Sequence, residues 1–150
     1  MSGRSDSQVV PIGEVPPEDT NPYHPVVMVV DDEVIIADTL AEILTRNGYA
    51  AVAAYDGEEA LETALLTPPE MLIADVMLPG MNGIELAVII QRTFPDCKIL
   101  LFSGRSVSNA LLAPAERAGY HFSLLSKPVH PDVLLATVSE SLRQVGTTAA

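Results

Sequence analysis

Residues 26–33 read VVMVVDDE, five consecutive apolar residues closed off by three acids. A short apolar run with an abrupt polar end predicts a strand in a sheet covered on both faces. Directly after it, Glu33–Asn47 carries Ile36, Leu40, Ile43 and Leu44 on one face of a predicted helix, and Gly48 supplies the C-terminal stop. The unit then recurs. Further apolar runs at Ala50–Ala54, Met71–Ala74, Ile99–Phe102 and Phe122–Leu125 alternate with segments of helical spacing. Gly57–Leu66 ends before Pro68–Pro69, Gly83–Phe94 ends before Pro95, and Pro131–Val145 opens with a proline at the favourable first helical position. Five strands alternating with five helices predict an α/β fold, an open five-stranded parallel sheet. The fourth helical segment, Ser106–Ala118, contains Pro114, which in a helix interior removes a hydrogen bond and clashes with the preceding turn. A late start or a kink is expected there.

The 150 residues fit one domain, expected over 26–145, with a short tail at 146–150. Residues 1–25 hold five of the twelve prolines among Ser, Asp and Glu, and read as a flexible arm that buries too little apolar surface to order itself. A formal charge of −12, from 20 acidic and 8 basic side chains, disfavours direct nucleic-acid binding, which needs clustered Lys and Arg. It disfavours an anionic membrane surface too. Cys97 is the single cysteine, so neither an internal disulfide nor a multi-cysteine metal site is expected. With no signal-peptide pattern and no apolar run near the roughly 20 residues of a spanning helix, a cytoplasmic setting is expected.

Four of the strand runs lead into reactive polar residues. Val26–Val30 leads to Asp31, Asp32 and Glu33, Met71–Ala74 to Asp75, Ile99–Phe102 to Ser103, and Phe122–Leu125, after Ser126, to Lys127. In a parallel sheet the strand carboxyl ends share one edge, where ligands bind. Clustered carboxylates repel unless a cation is present, and an oxygen-only donor set suits Mg²⁺. A carboxylate there can attack phosphorus, with a lysine and a hydroxyl to receive phosphoryl oxygens. The alternative for each Asp is a helix N-cap, and for Ser103 and Lys127 a solvated surface position. His24, His121 and His130 have no partners at ligand spacing and read as ordinary surface or strand residues. Leu78 and Met81 read as packing residues, and Gly57–Glu58–Glu59 as a solvated helix start.

Asp31-Asp32-Glu33, the stretch DVMLPGMNG at 75–83, Ser103-Gly104 and Lys127-Pro128 together resemble the CheY-like receiver domain of bacterial response regulators. The resemblance covers about residues 26–145 and implies the flavodoxin-like doubly wound (βα)5 fold with strand order 2-1-3-4-5. It implies Asp75 as phosphoacceptor, supplied by a histidine kinase or histidine phosphotransfer protein. Asp31, Asp32, Asp75 and the Met77 carbonyl would be the ligands of Mg²⁺. Ser103 would be the switch hydroxyl and Lys127 the phosphate-contacting lysine, with a bond to Pro128 that is typically cis in the family.

Two departures matter. The family's usual Tyr or Phe three residues before the lysine is Leu124 here, and the nearest aromatics are Phe122 and Tyr120. Only 23 residues follow Lys127, so a stand-alone receiver is expected, acting on a downstream protein target, with phosphorylation-dependent dimerisation open to it. The chain is read as a signalling switch in two-component signal transduction rather than an enzyme. The alternatives are a phosphorylation-independent interaction module and an Asp-nucleophile phosphatase. The latter generally wants an Asp two residues after the nucleophile, where this chain has Met77.

Overall fold

A computed structural model describes residues 23–104 and 109–143. The elements alternate strictly: β1 (Val26–Val30), α1 (Val34–Arg46), β2 (Ala50–Ala54), α2 (Gly57–Leu66), β3 (Met71–Asp75), α3 (Gly83–Thr93), β4 (Lys98–Ser103), α4 (Asn109–Arg117), β5 (Ser123–Ser126) and α5 (Pro131–Arg143). The five strands pair in parallel in the order β2-β1-β3-β4-β5. This is the flavodoxin-like order 2-1-3-4-5.

The continuous apolar runs are explained by burial on both faces. Val27 and Val29 of β1, with Met71, Ile73, Leu100 and Phe102, pack against Ala37, Leu40 and Leu44 of α1 and Leu134 and Val138 of α5. The alternate residues, among them Met28, Val30, Leu72, Ala74, Ile99 and Leu101, meet Ala60, Ala64, Leu86, Ala87, Ile90 and Ala115 of α2, α3 and α4. A period of two thus divides each central strand between two cores. Each fully buried Leu, Ile or Phe contributes about 1.5–3 kcal/mol relative to exposure.

The boundaries refine those read from the sequence. Asp75 pairs in register with Phe102 and Ser103 with Ser126, so both belong to their strands as last residues. β5 runs over Ser123–Ser126, one residue later than the apolar run Phe122–Leu125. Phe122 instead packs beside Tyr120 against the α2–α3–α4 core, ring centroids 6.1 Å apart. Of the expected helix Ser106–Ala118, Asn109–Arg117 is helical with Pro114 inside it, while residues 105–108 lie outside the described ones. α5 is described to Arg143, and the expected tail at 146–150 lies outside as well.

Residues 1–22 of the proline-rich segment are also outside the described residues. Its last three are tied to the amino end of the sheet. Pro25 O accepts from Ala50 N–H at 2.9 Å, His24 Nδ1 lies 3.0 Å from Gly48 O, and the Tyr23 hydroxyl donates to Glu70.

Candidate functional site

Asp31, Asp32, Asp75, Ser103 and Lys127 meet at the carboxyl edge of the sheet, because strands β1, β3, β4 and β5 end there side by side. Asp31 directly follows β1 and is fully buried, its backbone N–H held by Ala54 O of β2 at 3.2 Å. Its Oδ1 accepts from Glu33 N–H at 2.9 Å. Its Oδ2 accepts from Lys127 Nζ at 3.1 Å. Asp75 closes β3, and its Oδ1 accepts from Met77 N–H at 3.0 Å while its Oδ2 accepts from Lys127 Nζ at 2.6 Å. Lys127 is anchored in turn, its backbone N–H donating to Ser103 O at 2.8 Å. The Lys127–Pro128 peptide bond is cis.

The helix-cap alternative for the acids is answered by these partners. The N-cap of α1 is Glu33 and that of α3 is Asn82, so neither Asp31 nor Asp75 caps the helix that follows it. Asp56 does cap α2, and the first-turn acids Glu58 and Glu59 are solvated as expected, whereas Gly57, read with them as a solvated start, is buried. Leu78 is buried and Met81 half-buried in the core, consistent with packing. His24 and His130 are engaged with Gly48 O and Asp132 N–H, and His121 is exposed, away from the acids.

One carboxylate of the cluster stays open. Asp32 is exposed and free of hydrogen bonds and ion pairs, and carboxylate oxygens of Asp31, Asp32 and Asp75 lie within 4.8 Å of one another. Three carboxylates and one ammonium leave a formal charge of −2, and all donors are hard oxygens. That chemistry fits Mg²⁺. Burial acts most strongly on Lys127 and favours the neutral amine, but hydrogen bonds and attraction from Asp75 and Asp31 outweigh it, and its pKa is raised. The ammonium is therefore held in its charged form. The side chain of Met77 is exposed, and it is the backbone N–H of Met77 that contacts Asp75.

Leu124 sits on the exposed edge strand with 43% of its surface accessible. Gly83 closes the motif quoted at 75–83, but sequence reasoning gave it no role, and its close packing against the Asp75 backbone is visible only in the structure.

A doubly wound sheet in this order, with an acid cluster and a lysine at its carboxyl edge, defines a CheY-like receiver domain. Residues 27–139 match the response regulator receiver domain, and the chain belongs to that family. The response regulator MprA of Mycobacterium ulcerans (strain Agy99) is 32% identical over 118 residues, 79% of this chain and 50% of that protein. The CheY-like receiver domain protein of Methanospirillum hungatei JF-1 superposes with a TM-score of 0.76 at 26% identity, over 84% of this chain and 99% of that one. The BeF3-activated DrrB receiver domain does so with a TM-score of 0.69 at 27% identity, over 81% of this chain and 99% of that one. This chain spans about half the length of MprA-type relatives. It is a receiver domain of a response regulator in two-component signalling. Among the described residues no helix is long and apolar enough to cross a membrane.

Proposed function

We propose that Asp75 accepts a phosphoryl group, in a Mg²⁺-dependent transfer from a histidine kinase or histidine phosphotransfer protein, and that its aspartyl phosphate switches a protein-binding surface. The supporting observation is the Lys127 ammonium, which bridges Oδ2 of Asp75 and Oδ2 of Asp31 inside the acid cluster. An Asp75 oxygen bonds to phosphorus as the P–N bond of the phosphohistidine breaks. The electron pair goes to the imidazole nitrogen, which takes a proton from solvent. Asp31, Asp32, Asp75 and the Met77 carbonyl would hold Mg²⁺, which when bound offsets the repulsion between carboxylate and phosphoryl oxygens. Lys127 has three N–H donors and uses two on Asp31 and Asp75, leaving one for a phosphoryl oxygen. The Ser103 hydroxyl, at the buried end of β4, supplies another.

We assign the receiver to residues 26–145 in a cytoplasmic setting. Its output passes through a protein partner, a second copy among the candidates, at the surface of α4, β5 and α5. The acyl phosphate carries about 1.5–2 negative charges where the Asp75 carboxylate carried one, beside Asp31 and Asp32, and the loops holding these acids move in response. The test is incubation with acetyl phosphate and Mg²⁺, read by intact mass. Wild type gains one phosphoryl group and Asp75→Asn gains none. A wild type that binds Mg²⁺ yet takes up no phosphoryl group from acetyl phosphate or a phosphorylated kinase overturns the reading.

A second reading, an interaction module indifferent to phosphorylation, draws support from Leu124, which leaves the usual aromatic relay without its ring. Full retention of partner binding in Asp75→Asn would favour it. Steady turnover of a phosphate ester would instead revive a phosphatase.

A further inference from the structure

We infer that Gly83 is a positioning residue for Asp75, holding the acceptor in place by allowing α3 to press on the acceptor's own peptide; the inference rests on the reading of Asp75 as phosphoacceptor. Gly83 opens α3, immediately after the N-cap Asn82. Its N–H donates to Val76 O at 2.8 Å, which closes the loop that leaves Asp75. A Cβ at this position would lie 2.1 Å from the carbonyl oxygen of Asp75, 2.8 Å from its carbonyl carbon and 2.9 Å from Val76 Cα. All three are backbone atoms. Gly83 is not among the glycines with positive φ, so space and not backbone conformation excludes a side chain.

Neither side of this contact has slack. The Asp75–Val76 peptide is tied to β4 by Val76 N–H to Phe102 O at 2.9 Å. The start of α3 is set by a reciprocal capping box between Asn82 and Glu85, and its inner face, with Ile84, Leu86, Ala87 and Ile90, is buried. A methyl group at Gly83 therefore has to move the Asp75 peptide by close to 1 Å, from 2.1 to about 3.0 Å, or lift the helix. Both carboxylate oxygens of Asp75 are committed, one to Met77 N–H and one to Lys127, so a shifted peptide misplaces the acceptor against both.

Gly57 provides a matched control within the same protein. It too is the first residue of a helix behind an N-cap, Asp56, but the three atoms nearest its Cβ would be side-chain atoms of Met81, at 3.0–3.3 Å, and not backbone. That chain is flexible and can yield. Helix propensity favours alanine at both positions, so the two Gly→Ala variants differ in what the methyl group strikes.

The experiment measures phosphorylation of Gly83→Ala and Gly57→Ala by acetyl phosphate at saturating Mg²⁺, with urea unfolding of each. Gly83→Ala is expected to slow by about tenfold or more, while Gly57→Ala stays within about twofold of wild type. Pro114→Ala, placed in the Gly83→Ala chain to restore stability, leaves the rate deficit in place; recovery of the rate with stability would reduce Gly83 to a structural role and overturn the inference. So would a folded Gly83→Ala that reacts at the wild-type rate. Should Gly83→Ala not fold, amide exchange of wild type decides: phosphorylation must slow exchange at Gly83 and Met77 together, and slowing at Met77 alone overturns the inference. A wild type that takes up no phosphoryl group overturns the reading of Asp75 instead.

Discussion

Lys127 Nζ lies 2.6 Å from Asp75 Oδ2, an ion pair between residues 52 positions apart. The same ammonium reaches the fully buried carboxylate of Asp31 at 3.1 Å. One cation thus holds the ends of β1 and β3 together from the loop after β5. Taking charges out of water costs free energy that a pair recovers only while both partners remain.

Replacing the cation by an isosteric apolar chain tests this directly. Lys127→Met leaves Asp31 Oδ2 buried without its partner and is expected to lower stability by about 1–3 kcal/mol in urea unfolding. Added Mg²⁺ should shrink that deficit, since a cation again faces the acids. Phosphorylation by acetyl phosphate should slow on the order of a hundredfold, the usual effect of deleting a charge-stabilising donor. A deficit indifferent to Mg²⁺ would separate the lysine from the metal site.

The two neighbouring acids should part company. Asp32 is exposed and makes no bond, so Asp32→Asn is expected to stay within about 0.5 kcal/mol of wild-type stability while weakening Mg²⁺ binding. Asp31 has both oxygens engaged in the interior, so Asp31→Asn should lose stability as well as Mg²⁺ affinity. Calorimetric titration with Mg²⁺, paired with thermal unfolding, distinguishes the two outcomes. Equal stability losses would contradict the assignment.

Stability should fall at alkaline pH, and two groups set the sign. Burial, with the nearby Glu70 charge and against a backbone hydrogen bond at Leu72, pushes the Cys97 thiol up to about 12 from 9.0. Between those values the unfolded chain loses a proton that the folded chain keeps, so rising pH favours unfolding. For Lys127 burial pulls down but Asp75 and Asp31 prevail, so its folded pKa lies above 10.5; its contribution is present below that value and is lost as pH rises through the folded one. Urea unfolding from about pH 8 to 12 should show the decline, with Cys97→Ala flattening its onset and Lys127→Met its far end. A Cys97→Ala profile that overlays wild type would refute the thiol's part.

Pro114 is a cost carried by α4. Its missing N–H leaves the Ala110 carbonyl without the usual helical donor four residues on. Pro114→Ala restores that donor but frees the unfolded chain by about 0.4–1 kcal/mol. The hydrogen bond and the relieved clash are the larger effect, and a net gain of about 1 kcal/mol is expected. Phosphorylation should not change. A lower melting temperature would show that the ring packs against α3 to advantage.

Much of this fold was legible because periodicity is local. The run at Val26–Val30 and the face carried by Ile36, Leu40, Ile43 and Leu44 report burial through spacing alone. Boundaries were less legible, since Asp75 and Ser103 look like loop residues until Phe102 and Ser126 are seen beside them. Phe122 misled for the same reason. An aromatic ring can extend a strand or fill a gap under a neighbouring helix, and only the position of Tyr120 and α3 decided for the second.

By itself the sequence determined the alternation of elements, the two-sided burial of the sheet, and that acids, a hydroxyl and a lysine follow its strands. These are properties of residues near one another in the chain, where hydrophobic spacing and turn chemistry act. Tertiary structure decided which oxygen of Asp75 meets Lys127, why Asp31 is enclosed while Asp32 stays open, and that Gly83 leaves no room beside the acceptor. Such distances come from strand register and helix seating. Both are set by the packing of the whole domain, which no stretch of sequence specifies alone.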